Sequence, residues 1–255
     1  MKVSCIHRFC RFATAVLLFH GMLGVAQAQT PTGDEKYLFD AVNHERAERG
    51  LRALKWDAAL AEAARRHTTL MADRHTLSHQ LPGEAELQVR AQQAAARFIQ
   101  IAENIGEASE AEDLHYGWMH SPPHRANILS AKLTSIGIAV EHRGKVYFAT
   151  QDFSVAVPDL SLSEQEDRIA KLLEKRGLRV ARGNAEARQA CRSNGDYPDR
   201  RPGGVAHFET ADLTALPDGV VKMIARDGFR TAEVGACEPT PSGGFTRYRI
   251  AVLLY

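Results

Sequence analysis

Trp118-Met119-His120-Ser121-Pro122-Pro123-His124-Arg125-Ala126-Asn127-Ile128-Leu129 marks the centre of the chain's chemistry. Ser121 stands where a helix begins, with a hydroxyl suited to accept a hydrogen bond from an unpaired N–H of the first turn. Pro122 fits the first helical position, where its missing N–H costs nothing. His124 then falls in the opening turn of a short helix running toward Leu129. The positive end of the helix dipole disfavours imidazolium, so a neutral ring is expected there near pH 7. A neutral imidazole is what a metal ligand or a proton acceptor needs.

Working outward, the apolar spacing predicts helices before this stretch and strands after it. Residues 34–50 place Leu38, Phe39 and Val42 on one side and end at Gly50. Asp57 caps a second helix whose Leu60, Ala63, Ala64, His67 and Met71 share a face. His67 is thereby expected to be a hydrogen-bonded core residue. Residues 75–83 read as a loop, residues 84–100 as an Ala- and Gln-rich helix, and residues 111–120 as a helix burying Leu114 and Trp118. Trp56 and Trp118 are expected to anchor the core. Beyond Leu129 the period becomes two: residues 135–142 and 145–153 form a hairpin about Arg143-Gly144. Helices followed by paired strands imply an α+β fold, an α-β-α sandwich.

Val157-Pro158-Asp159 reads as a border, giving a first domain over residues 29–158 and a small C-terminal α/β domain over residues 159–255. In the latter, Ser163 caps a helix carrying Ile169, Leu172 and Leu173, which ends at Gly177. A polar loop over residues 195–204 follows, then a helix at 218–226 and strands at 230–237 and 246–255. Ile136-Gly137-Ile138-Ala139 is echoed by Val234-Gly235-Ala236-Cys237, each followed by a turn and a strand. A degenerate half-repeat and a chance recurrence of a helix-to-hairpin pattern both account for the echo.

The first 28 residues combine Lys2, Arg8 and Arg11 with an apolar run over 12–25 and the small-residue site Ala26-Gln27-Ala28. That pattern is a secretory signal, and the run is short for a membrane span. Its removal takes three of the 32 basic residues and none of the 31 acidic ones. A near-neutral exported protein offers no electrostatic case for nucleic acid as a partner. Cys191 and Cys237 are then the two remaining cysteines, and in an oxidising compartment they are expected to pair.

The residues from about Tyr37 to Phe153 resemble the bacterial, SCP-like branch of the CAP superfamily (cysteine-rich secretory proteins, antigen 5, pathogenesis-related 1). In order they supply Asn43, Arg46, Gly50-Leu51, Leu54-Lys55-Trp56-Asp57, Ser78-His79, Ala102-Glu103-Asn104-Ile105, the 118–129 stretch, Ile136-Gly137-Ile138-Ala139 and Thr150-Gln151-Asp152-Phe153. The resemblance implies the same sandwich and a central cleft where His79, Glu103 and His124 converge and can hold a divalent metal. Zn²⁺ suits two imidazoles and a carboxylate best. The eukaryotic pattern carries a second cleft glutamate three positions after the helix tryptophan; here Ser121 stands there, with His120 and Asn127 as further cleft-lining candidates.

Function is thus expected to be that of a secreted or periplasmic module, non-enzymatic or weakly enzymatic, whose cleft binds a metal and a ligand. The rivals are a metal-dependent hydrolase using His79, Glu103 and His124, a lipid or sterol carrier, and a protein-interaction module docking through the tail. Serine catalysis by Ser121 with His124, or Ser78 with His79, lacks a Gly-x-Ser-x-Gly elbow and is disfavoured.

Overall fold

The computed structural model describes residues 30–193, 202–238 and 246–255. The secretory-signal segment lies outside them, as does most of the 195–204 loop. Helix α1 (Gly33–Ala47) begins at Thr32, whose side chain and Glu35 form a reciprocal capping box, satisfying two otherwise unpaired N–H groups. Strand β1 (Lys55–Trp56) leads to α2 (Ala58–Arg74), where Asp57 accepts from the N–H groups of Ala59 and Leu60. Helix α3 (Leu87–Gln93) is short and gives way to strand β2 (Phe98–Ala108). The helix expected over 84–100 is therefore halved. Ala95 turns to a φ of 67°, and the Phe-Ile-Gln-Ile run beyond it prefers a sheet edge to continued helix.

Helices α4 (Ala111–His120) and α5 (Pro122–Ile128) meet at Ser121. The hydroxyl of Ser121 makes no capping bond, contrary to expectation. The physical reason is Pro123, which removes one of the two N–H groups an N-cap side chain reaches. Strands β3 (Ser135–Arg143) and β4 (Val146–Ala156) form the hairpin, with Gly144 at φ 65° in its turn.

The sheet order is β1-β3-β4-β2, with β1 parallel to β3 and the other pairs antiparallel. Both faces are covered. Ile136 and Ile138 of β3 pack with Leu38 and Val42 of α1 and with Leu114 and Trp118 of α4. On the opposite face, Gly137 lies against α2 so closely that a Cβ there would fall 2.1 Å from the Ala61 nitrogen. This is an α-β-α sandwich. Two motif residues serve it directly: Asn43 exchanges hydrogen bonds with the main chain of Leu54. The buried Arg46 donates to the carbonyls of Arg52, Ile128 and Ser130, tying α1 to the end of α5.

The C-terminal residues form α6 (Leu162–Glu174), β5 (Arg179–Ala181), α7 (Ala185–Ser193), β6 (Gly204–Thr210), α8 (Asp218–Asp227), β7 (Thr231–Cys237) and β8 (Tyr248–Leu254). Ser161, not Ser163, caps α6, again with a capping box, to Glu164. The second sheet has the order β5-β7-β8-β6. Its core gathers Ile169, Leu173, Val234, Ile250 and Val252. A disulfide joins Cys191 of α7 to Cys237 of β7. Among the described residues no helix is long and apolar enough to cross a membrane.

Candidate functional site

Glu103 sits on β2 opposite Asp152 of β4, which in turn lies opposite Gly137 of β3. The strand thus points Glu103 to the face that α2 and α3 cover. Its Oε1 accepts from Nδ1 of His79 at 2.8 Å, and its Oε2 accepts from Nη2 of Arg90 on α3. The Glu103 and Arg90 side chains are 3% and 5% exposed. The same guanidinium donates to the His79 carbonyl at 3.0 Å and lies 3.8 Å from Glu84. Arg90 therefore fixes both the carboxylate and the backbone of the loop that carries His79.

A carboxylate only accepts, so Nδ1 of His79 must carry a proton. Nε2 is left free of that pair, and the side chain is 61% exposed. The bond to Glu103 raises the His79 pKa above its usual value. His124 moves the other way, lowered first by burial and then by the neighbouring His79. Its neutral state agrees with the sequence expectation, but desolvation rather than a helix dipole heads the causes. Asn104 donates to the His124 carbonyl at 3.1 Å. Asn127 donates to the Glu103 carbonyl at 3.2 Å and to Oδ1 of Asn104 at 2.9 Å. Through these bonds α5 is held against β2.

A second, buried set lies beneath. Nδ1 of His67 bonds to Glu84 at 2.8 Å, and its Nε2 lies 3.9 Å from Glu103. Asp152 is fully buried, with its carboxyl group against that of Glu103. Burial, and then Glu103, push its pKa well up, which favours its protonated form.

The other expected residues are placed elsewhere. His120 stacks on Tyr116 and bonds to the Tyr116 carbonyl. It lines a separate cavity of about 690 Å³ with Glu45, Arg49, Met119, Pro122 and Arg125, which includes none of His79, Glu103 and His124. The Ser78 hydroxyl is engaged with the Gln80 backbone in a local turn, leaving it no bond to a histidine base. Arg90 and Asp152 were not singled out in the sequence reading. The signal for Asp152 was present in Thr150-Gln151-Asp152-Phe153, a charge inside a strand flanked by buried positions; nothing marked Arg90.

The two imidazoles are neighbours, since His79 contributes to lowering the His124 pKa. Glu103 spends one acceptor site of each carboxylate oxygen on His79 and Arg90. Among the described residues no three His, Cys, Asp or Glu side chains stand ready-arranged around one metal position.

The sandwich is that of a CAP-type domain. Residues 39–153 match the model of the Cysteine-rich secretory protein family, CAP. The chain is 30% identical over 120 residues to the uncharacterized protein YkwD of Bacillus subtilis (strain 168), covering 47% of this chain and 46% of that protein. It is also 30% identical over 123 residues to the uncharacterized membrane protein YlbC of the same organism, covering 48% of this chain and 34% of the other. The match thus spans less than half the length of either relative. Among solved structures, an extracellular protein containing a SCP domain from Bacillus anthracis is similar at 32% identity and a TM-score of 0.44, over 48% of this chain and 40% of that one.

Proposed function

We propose that this CAP-domain protein is exported and that its cleft binds a divalent metal ion through the imidazoles of His79 and His124. The observation that carries the reading is the 2.8 Å bond from His79 Nδ1 to Glu103. It fixes the tautomer and leaves Nε2 as the donor, an arrangement in which a carboxylate orients a metal-binding histidine. Glu103 is then a positioning residue, itself held by Arg90, and His124 supplies the second, neutral ring. A bound ion would act as a Lewis acid toward a ligand oxygen in the cleft. The Cys191–Cys237 disulfide supports an oxidising compartment, in line with the secretory signal read from residues 1–28.

Calorimetric titration of the purified protein with Zn²⁺ tests this. His79→Ala and His124→Ala should each weaken binding at least tenfold, and Glu103→Gln by roughly 10- to 100-fold through loss of orientation. Equal affinity in the wild type and His124→Ala would reject the site.

A further inference from the structure

We infer that residues 161–255 are a second, reduced copy of the fold of residues 32–156, in which a disulfide stands where the first copy has Ala64 and Ala139 and the acids at Glu103 and Asp152 have been lost. The inference is independent of metal binding.

Four observations carry it. The two sheets have the same order and the same pairing senses: β1-β3-β4-β2 and β5-β7-β8-β6, each with its first pair parallel and the others antiparallel. The helix-to-strand turns agree residue by residue. Gly50-Leu51-Arg52 and Gly177-Leu178-Arg179 each follow a helix with the glycine at positive φ, 66° and 86°. The next residue's N–H returns to a carbonyl five positions back, Leu51 to Arg46 and Leu178 to Leu173.

The third is the cap of the following helix. Seven residues after each glycine, Asp57 and Asn184 use Oδ1 to accept from the N–H groups two and three positions on. The fourth is the contact of that helix with the sheet. A Cβ on Gly137 would meet the Leu60–Ala61 peptide, at 2.3 and 2.1 Å. A Cβ on Gly235 would meet the Ala187–Arg188 peptide, at 2.1 and 2.3 Å. In both cases that peptide lies three to four residues past the cap. A chance recurrence of a hairpin does not account for the same glycine wedging against the same peptide.

Register then assigns the remaining positions. Gly137 faces Asp152, which faces Glu103; Gly235 faces Ala251, which faces His207. The acid pair of the first copy is thus His207 and Ala251 in the second. Cys191, seven residues past its cap, takes the place of Ala64, and Cys237, two past its glycine, the place of Ala139. Both alanines are buried.

The test moves the disulfide to the first copy. In the full-length protein, Ala64→Cys with Ala139→Cys should cross-link under oxidising conditions, seen as loss of both added thiols. Ala64→Cys with Ile138→Cys, whose strand residue faces away from α2, should keep its thiols free. Free thiols in both variants, or cross-links in both, would overturn the equivalence. A second arm covers misfolding: Cys191→Ala with Cys237→Ala gives the second copy the first copy's residue pair. That protein should fold with a lower unfolding midpoint, and hydrogen exchange should quicken in residues 161–255 but not in 32–156. Exchange that is unchanged, or quickened throughout, would contradict the assignment.

Discussion

The side-chain amide of Asn127 donates to the main-chain carbonyl of Glu103 at 3.2 Å, so the helix carrying His124 is tied to the strand carrying Glu103. Both imidazoles are therefore tied to β2, His124 through its helix and His79 through its own Nδ1 bond to Glu103. Glu103 is held in turn at its carboxylate, where His79 and Arg90 bond one oxygen each.

Removing Arg90 should be costly. Its partner Glu103 is buried beside Asp152, and an uncompensated buried charge typically costs about 3–5 kcal/mol. Arg90→Ala is expected to lower stability by about that amount in urea unfolding. A loss below about 1 kcal/mol, the range of an exposed pair, would show that Arg90 is not what holds the carboxylate.

Two glycines should respond in opposite directions. Gly117 lies in α4 with nothing within 4 Å of an added Cβ, so Gly117→Ala should stabilise by about 0.5–1 kcal/mol through helix entropy. At Gly137 the obstacle is α2 backbone at 2.1 Å. Gly137→Ala should cost about 1–3 kcal/mol by overpacking. Thermal unfolding of the two variants reads both signs.

The caps offer a third contrast. Ser161 accepts from the Glu164 N–H and completes a capping box, so Ser161→Ala should cost about 1 kcal/mol. Ser121 makes no such bond, and Ser121→Ala should change stability by less than about 0.5 kcal/mol. Equal losses in the two variants would contradict the proline argument.

His115 sets a pH dependence. Burial lowers its folded pKa below the ordinary 6.5, the neighbouring Glu45 opposing and His44 adding to the shift. Below about pH 6.5 the unfolded chain binds a proton that the folded one does not. The contribution is thus whole above that pH and is lost as pH falls toward the folded value. His79, with a raised pKa, acts in the opposite sense. Comparing denaturation of the wild type and His115→Gln between about pH 8 and pH 5 isolates the His115 part. The variant should lose less stability on acidification; identical slopes would disprove it.

The sequence made the hairpin at Arg143-Gly144 and the helix opening at Pro122 legible because each has a local cause: a turn glycine and a proline at a helix start. His79, Glu103 and His124 were legible through motif order, since no local period links residues so far apart. Arg90 was not, because it lies in an Ala- and Gln-rich run where a buried arginine and an exposed one look alike. Strand β2 was missed for a related reason: alanines at 94–96 extend a helical pattern that Ala95 breaks. The seven consecutive buried positions within β4 also hid the significance of Asp152, since a strand covered on both faces shows no alternation.

The most direct test is a crystal soaked with Zn²⁺ and measured at its absorption edge. The account predicts one anomalous peak bonded to Nε2 of His79 and to the His124 imidazole, at about 2.0–2.1 Å, with Glu103 still accepting from His79 Nδ1. A peak bonded to Glu103 in place of either histidine, or full metal loading away from the cleft, would contradict it.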